Sequence, residues 1–134
     1  MAAFRLQIVT MDGLSFDGEA ERVIVRTAEG DVGILRGHAD YVAPLGIGKA
    51  RITVSDGTER IAACAGGFVS VTNKETRIVA STFEWAEEID TARAQRAKAR
   101  AEALLKQQLA KRELALAEAK LKRALTRLEA ASGR

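Results

Sequence analysis

The sequence predicts an α+β chain, with an antiparallel β-sandwich or barrel over residues 1–84 and a helical segment over 85–134. Three observations carry this expectation. The first part reads as short alternating or β-branched runs, with turn residues about every 8–12 positions. Residues 89–131 contain no Gly and no Pro, and are rich in Ala, Leu, Lys, Arg, Glu and Gln, the strongest helix formers. Charge divides at the same place. Residues 1–89 carry 9 basic and 13 acidic groups, a net of −4, whereas 90–134 carry 12 basic and 5 acidic groups, a net of +7.

Phe4–Thr10 alternates so that Phe4, Leu6 and Ile8 share one face, as a half-buried strand requires. Gly13–Gly18 reads as a short strand ending in a turn, and Glu21–Thr27 as a separate β-branched strand. Gly30–Leu35 follows a turn at Glu29-Gly30. Ala50–Ser55 and Arg60–Ala65 flank Asp56-Gly57, a good hairpin turn. Gly66-Gly67 breaks the run before Phe68–Thr72. Asn73-Lys74 then turns the chain into Thr76–Ser81.

Glu84–Ile89 forms the junction to the helices. Glu87, Glu88 and Asp90 precede or open the first helix, where negative charge suits the helix dipole. Asp90 is the expected N-cap. Ala94, Ala97 and Ala101, followed by Leu104 and Leu105, form a small-residue face. Further on, Leu114, Ala117, Leu121, Leu125 and Leu128 recur at helical spacing as an apolar stripe. Lys106–Arg112 contains no turn residue, so local sequence extends one helix through it. Unbroken, residues 89–131 would run about 65 Å at about 1.5 Å per residue. The segment therefore either folds back as a hairpin or projects to reach something.

Several functions are excluded. Aromatics are only 4% of residues, so the core is aliphatic. The single cysteine, Cys64, rules out a disulfide framework or cysteine-rich zinc site and reads as a small buried strand residue. The sequence shows no signal peptide and no apolar run near the roughly 18 residues of a membrane span, so a soluble, reducing compartment is expected. His38 is the one histidine and has no nucleophile in a recognisable context. Gly30-x-x-Gly33 and Gly46-x-Gly48 lack the Lys-Ser/Thr of a phosphate loop. Glu102, Glu113, Glu118 and Glu129 interrupt the basic arm and no aromatic follows Trp85, which argues against nucleic acid.

Glu29-Gly-Asp-Val-Gly-Ile-Leu-Arg-Gly-His-Ala39 resembles a characteristic stretch of the epsilon subunit of bacterial F-type ATP synthase. Ala63-Cys-Ala-Gly-Gly-Phe-Val-Ser-Val71 and Ile89-Asp-Thr-Ala-Arg-Ala94 follow in the family's order, and the resemblance covers nearly the whole chain. The chain departs from the family at Arg36 and Asp40, loop positions where the family usually carries Pro. The resemblance implies a sandwich of about ten strands followed by a two-helix hairpin. It implies a non-catalytic rotor subunit that couples proton-driven rotation to ATP synthesis and inhibits ATP hydrolysis through mobile C-terminal helices. Partners implied are the gamma subunit, the c-ring and the catalytic alpha and beta subunits, at the cytoplasmic face of the membrane.

Site residues follow from the same resemblance. Asp31 matches an acidic position near the c-ring loop. Lys111, Arg112, Lys120, Lys122, Arg123 and Arg127 are the candidates to meet an acidic loop of the catalytic subunits. Glu84, Asp90, Arg93 and Arg100 fall on the positions of a regulatory ATP site, with no metal ligand and no required cofactor. The rival expectation is a free-standing adenine-nucleotide sensor or helical-hairpin adaptor, which would purify without a gamma subunit.

Overall fold

The computed structural model describes residues 2–133 except residue 74. Among the described residues nine strands come first: β1 (Phe4–Thr10), β2 (Gly13–Thr27), β3 (Gly30–Ile34), β4 (Tyr41–Pro44), β5 (Ile47–Val54), β6 (Glu59–Ala65), β7 (Phe68–Val71), β8 (Glu75–Val79) and β9 (Thr82–Trp85). A 3₁₀ turn at Ala86–Glu88 leads into α1 (Thr91–Leu105) and α2 (Lys111–Ala131). Strand order is β4-β7-β8-β1-β2-β5-β6-β9, with β3 also paired to β2. Every pairing is antiparallel except β1 with β8.

Gly13–Gly18 and Glu21–Thr27 prove to be one strand of 15 residues. Its N-terminal part pairs with β1 and its later part with β5 and β3, with a register shift between Ala20 and Arg22. A glycine that reads as a turn here sits near a bulge in a long bent strand. β4 and β9 escape the sequence pattern because both are four-residue edge strands, and β4 ends on Pro44. Arg36 lies in the loop between β3 and β4, where His38 N–H donates to Leu35 O at 3.1 Å. Asp40 lies in the same loop. The expected turn at Asn73-Lys74 falls partly on residue 74, outside the described residues.

Leu6, Ile8, Val23, Val25, Ile34, Ile52, Val69 and Ile78 fill the core and are essentially inaccessible. Burying each such side chain contributes roughly 1.5–3 kcal/mol before conformational entropy is set against it. Cys64 belongs to this core, and burial pushes its thiol up to about 12.

The helical segment folds back on itself. Lys106 closes α1 and Ala110, in extended conformation, opens α2 without a side-chain cap. No Gly or Pro makes this break; tertiary packing does, since most helix stability comes from buried faces rather than propensity. α1 lies against α2, and α2 against β5 and β6. The leucine stripe is not the main buried face. Ala117, Ala124, Thr126 and Ala130 are buried, Leu121 and Leu128 are half-buried, and Leu114 and Leu125 are each 37% exposed. Small residues win at this interface because they bring backbones close. Ala94 and Ala101 supply the matching face of α1.

Candidate functional site

The junction of sandwich and hairpin is held by Trp85. Its ring meets Phe83 and Phe16 edge-on at centroid distances of 4.9 and 6.2 Å. Arg60 lies over it at 3.7 Å and also pairs with Glu87 at 2.7 Å. The carboxyl of Glu87 is held below its usual value, first by its own backbone N–H and then by Arg60. This anchor fixes the direction in which Glu84 and the start of α1 leave the sheet.

Beside it opens a cleft of about 610 Å³. Its lining interleaves the acids Asp12, Glu84, Glu88 and Asp90 with the bases Arg93, Arg100 and Arg127. All four residues expected at an ATP site therefore line one cavity. Asp90 is the N-cap of α1, its carboxylate accepting the Arg93 backbone N–H at 3.0 Å. Glu84 accepts Arg127 Nε–H at 2.5 Å. Glu88 accepts the Trp85 backbone N–H at 3.4 Å. Arg93 and Arg100 are exposed and form no ion pair among the described residues.

A second cleft of about 280 Å³ lies between the helices, lined by Arg100, Lys120, Arg123 and Arg127. Arg100 and Arg127 belong to both cavities. Together they form a groove whose cations come from both helices. Planar guanidinium forks match phosphate oxygens in pairs, so the groove suits a polyanion. Arg127 was not among the expected groove residues, although Arg123 and Arg127 are spaced four apart and must share a helix face. Only the fold-back of α2 reveals that this face meets Arg100.

The six basic residues expected to meet the catalytic subunits divide into two sets. Lys111, Arg112, Lys120 and Lys122 are exposed, whereas Arg123 and Arg127 are half-buried. Asp31, on β3, is engaged by Arg26, whose Nε–H donates to Oδ1 at 2.6 Å. That hydrogen bond holds the Asp31 carboxyl below its usual value. Among the described residues no group of His, Cys, Asp and Glu is arranged to hold a metal.

The family model for the β-sandwich domain of the ATP synthase delta/epsilon chain matches residues 3–86, and that for its long α-helix domain matches 87–132. The chain belongs to the ATP synthase delta/epsilon family. An ATP synthase epsilon chain of Ruminococcus albus is 44% identical over 133 residues, covering 98% of each chain. That of Alkaliphilus oremlandii is 53% identical over 104 residues, covering 78% of this chain and 77% of the relative. A chain in the Euglena gracilis mitochondrial ATP synthase structure (OSCP, F1 and c-ring) superposes with a TM-score of 0.84 at 25% identity. It covers 98% of this chain and 82% of the other. Family membership makes this an epsilon-type stalk subunit of F-type ATP synthase. No helix among the described residues is long and apolar enough to cross a membrane.

Proposed function

We propose that this subunit works in the rotor as a coupling element and as a conditional brake on ATP hydrolysis, with ATP holding the brake off. The carrying observation is that the sandwich edge, α1 and α2 all contribute charged side chains to one groove. Such a groove exists only while the hairpin is folded. A nucleotide whose phosphates meet Arg93, Arg100 and Arg127, and whose base or ribose meets Glu84 and Asp90, therefore binds one state alone. A ligand shifts a population only by such a difference in affinity. Withdrawn from the groove, α2 offers Arg123 and Arg127 together with Lys111, Arg112, Lys120 and Lys122 to an acidic loop of the catalytic subunits. Opposite charge there sets orientation and rate more than raw affinity. The subunit itself hydrolyses nothing in this scheme. Arg93→Ala should weaken ATP binding at least tenfold, as measured by calorimetry on the isolated chain; unchanged affinity would contradict the site.

A row of apolar residues supports docking on the gamma subunit. Pro44, Phe68, Val79, Val9 and Leu14 are consecutive partners across β4, β7, β8, β1 and β2. Phe68 is 42% and Leu14 59% exposed, and α2 lies over other strands, β5 and β6. Val9 and Val79, between Phe68 and Leu14, are half-buried, and an apolar strip that reaches solvent in this way supports a protein interface. Phe68→Asp should abolish co-purification with gamma while leaving the fold intact. A chain that never co-purifies with gamma, even unmodified, would favour the free-standing sensor. Asp31, on an edge strand, is the proposed contact to the c-ring at the cytoplasmic face of the bacterial membrane.

A further inference from the structure

A row of charge crosses the sheet beside α2. Asp31 stands directly opposite Arg26 in the register of β3 and β2. Arg26 donates to both oxygens of Asp31, at 2.6 and 3.4 Å. The same side chain runs close over Gly48 of β5, where an added Cβ would lie 2.6 Å from Arg26 Cβ. The next residue on β5 is Lys49, whose Nζ lies 3.9 Å from Glu129 Oε2 on the last turn of α2. Arg26 feels both carboxylates. Its pKa is raised mostly by the hydrogen bond and charge of Asp31, and further by Glu129. Lys49 and Arg51 in turn help to hold Asp31 ionised.

We infer that Asp31 and Glu129 compete for the cations Arg26 and Lys49, so that events at the β3 edge and the docking of α2 are coupled. A basic group that takes Asp31 releases Arg26 toward Glu129, and α2 is held more firmly on β5 and β6. Loss of that group returns Arg26 to Asp31 and loosens the helix. This coupling rests on the proposed ring contact only for the identity of the basic partner; the competition itself belongs to the isolated chain. Arg26, Asp31 and Glu129 are exposed and Lys49 is half-buried, so the effect is modest, about two- to fourfold in the opening equilibrium. It is also screened by salt.

The test reads how often α2 lifts from the sheet. Thr126 is buried on the face of α2 turned to the sheet, at 8% exposure. In a Cys64→Ala background, Thr126→Cys places a thiol that reagent reaches only on opening; Ala130→Cys supplies a second reporter. Asp31→Asn should slow labelling about two- to fourfold at low salt. The slowing should vanish when Glu129→Gln is added. An unchanged or faster rate, or a slowing that persists without the Glu129 charge, would overturn the coupling. Failure of the chain to bind a c-ring would leave these rates untouched and would remove only the named partner.

Discussion

Arg127 Nε donates to Glu84 Oε1 at 2.5 Å, tying the last third of α2 to the final strand of the sandwich. The two residues stand 43 positions apart. Both line the groove proposed for nucleotide, so the same arginine serves as latch and as ligand group. Side-chain exposures of 29% and 37% make this a partly screened pair, contributing about 1 kcal/mol. Arg127→Ala should therefore increase protease cutting in the 106–110 linker about fivefold in ligand-free chain. Glu84→Gln should do nearly as much, and the double variant little more.

The interface between helices tolerates little growth. Ala124 is fully buried and Ala101 is 1% exposed. Ala124→Leu adds volume that the site cannot take, at a cost of about 1–3 kcal/mol. Hydrogen exchange should accelerate across α1 and α2 while β1, β2 and β5 keep their protection.

Gly67 has φ +86°, and a side chain there would drive into the Val79 carbonyl. Left-handed backbone alone costs a non-glycine residue roughly 1–2 kcal/mol. The clash adds to it, so Gly67→Ala should lower the denaturant midpoint more than Gly57→Ala, whose position has φ +87° and open space.

Acid should act through Asp31. Its folded carboxyl titrates below the ordinary 3.8 because Arg26 bonds it. A depressed carboxylate contributes stability that is present above its unfolded pKa and is lost as pH falls through the folded value. Thermal unfolding of wild type and Asp31→Asn should differ by a constant amount above the ordinary carboxylate range and converge as pH falls through the lowered folded value. A difference that grows on acidification would contradict this assignment.

Much of the fold is legible in the sequence, and the exceptions share a physical cause. Phe4–Thr10 and the Asp56-Gly57 hairpin are locally specified by alternation and turn chemistry, and they fall where expected. β2 misleads because a bulged strand resembles two strands with a turn between them. β4 and β9 are too short for period to register. The helix break at 106–110 is invisible because no residue in it prefers a turn; α1, α2 and the sheet impose it together. Glu84, Asp90, Arg93 and Arg100, expected from the resemblance, line one cleft. Arg123 and Arg127 were not expected there, since their place in the groove depends on how α2 folds back.

The most direct test is ATP hydrolysis by the purified parent complex, with this chain intact or stopped after Glu88, at low and at saturating ATP. Removal of the helices should raise hydrolysis at low ATP, with the complex still assembled, and should matter little when ATP is saturating. Equal rates for the two complexes at both concentrations would contradict the brake.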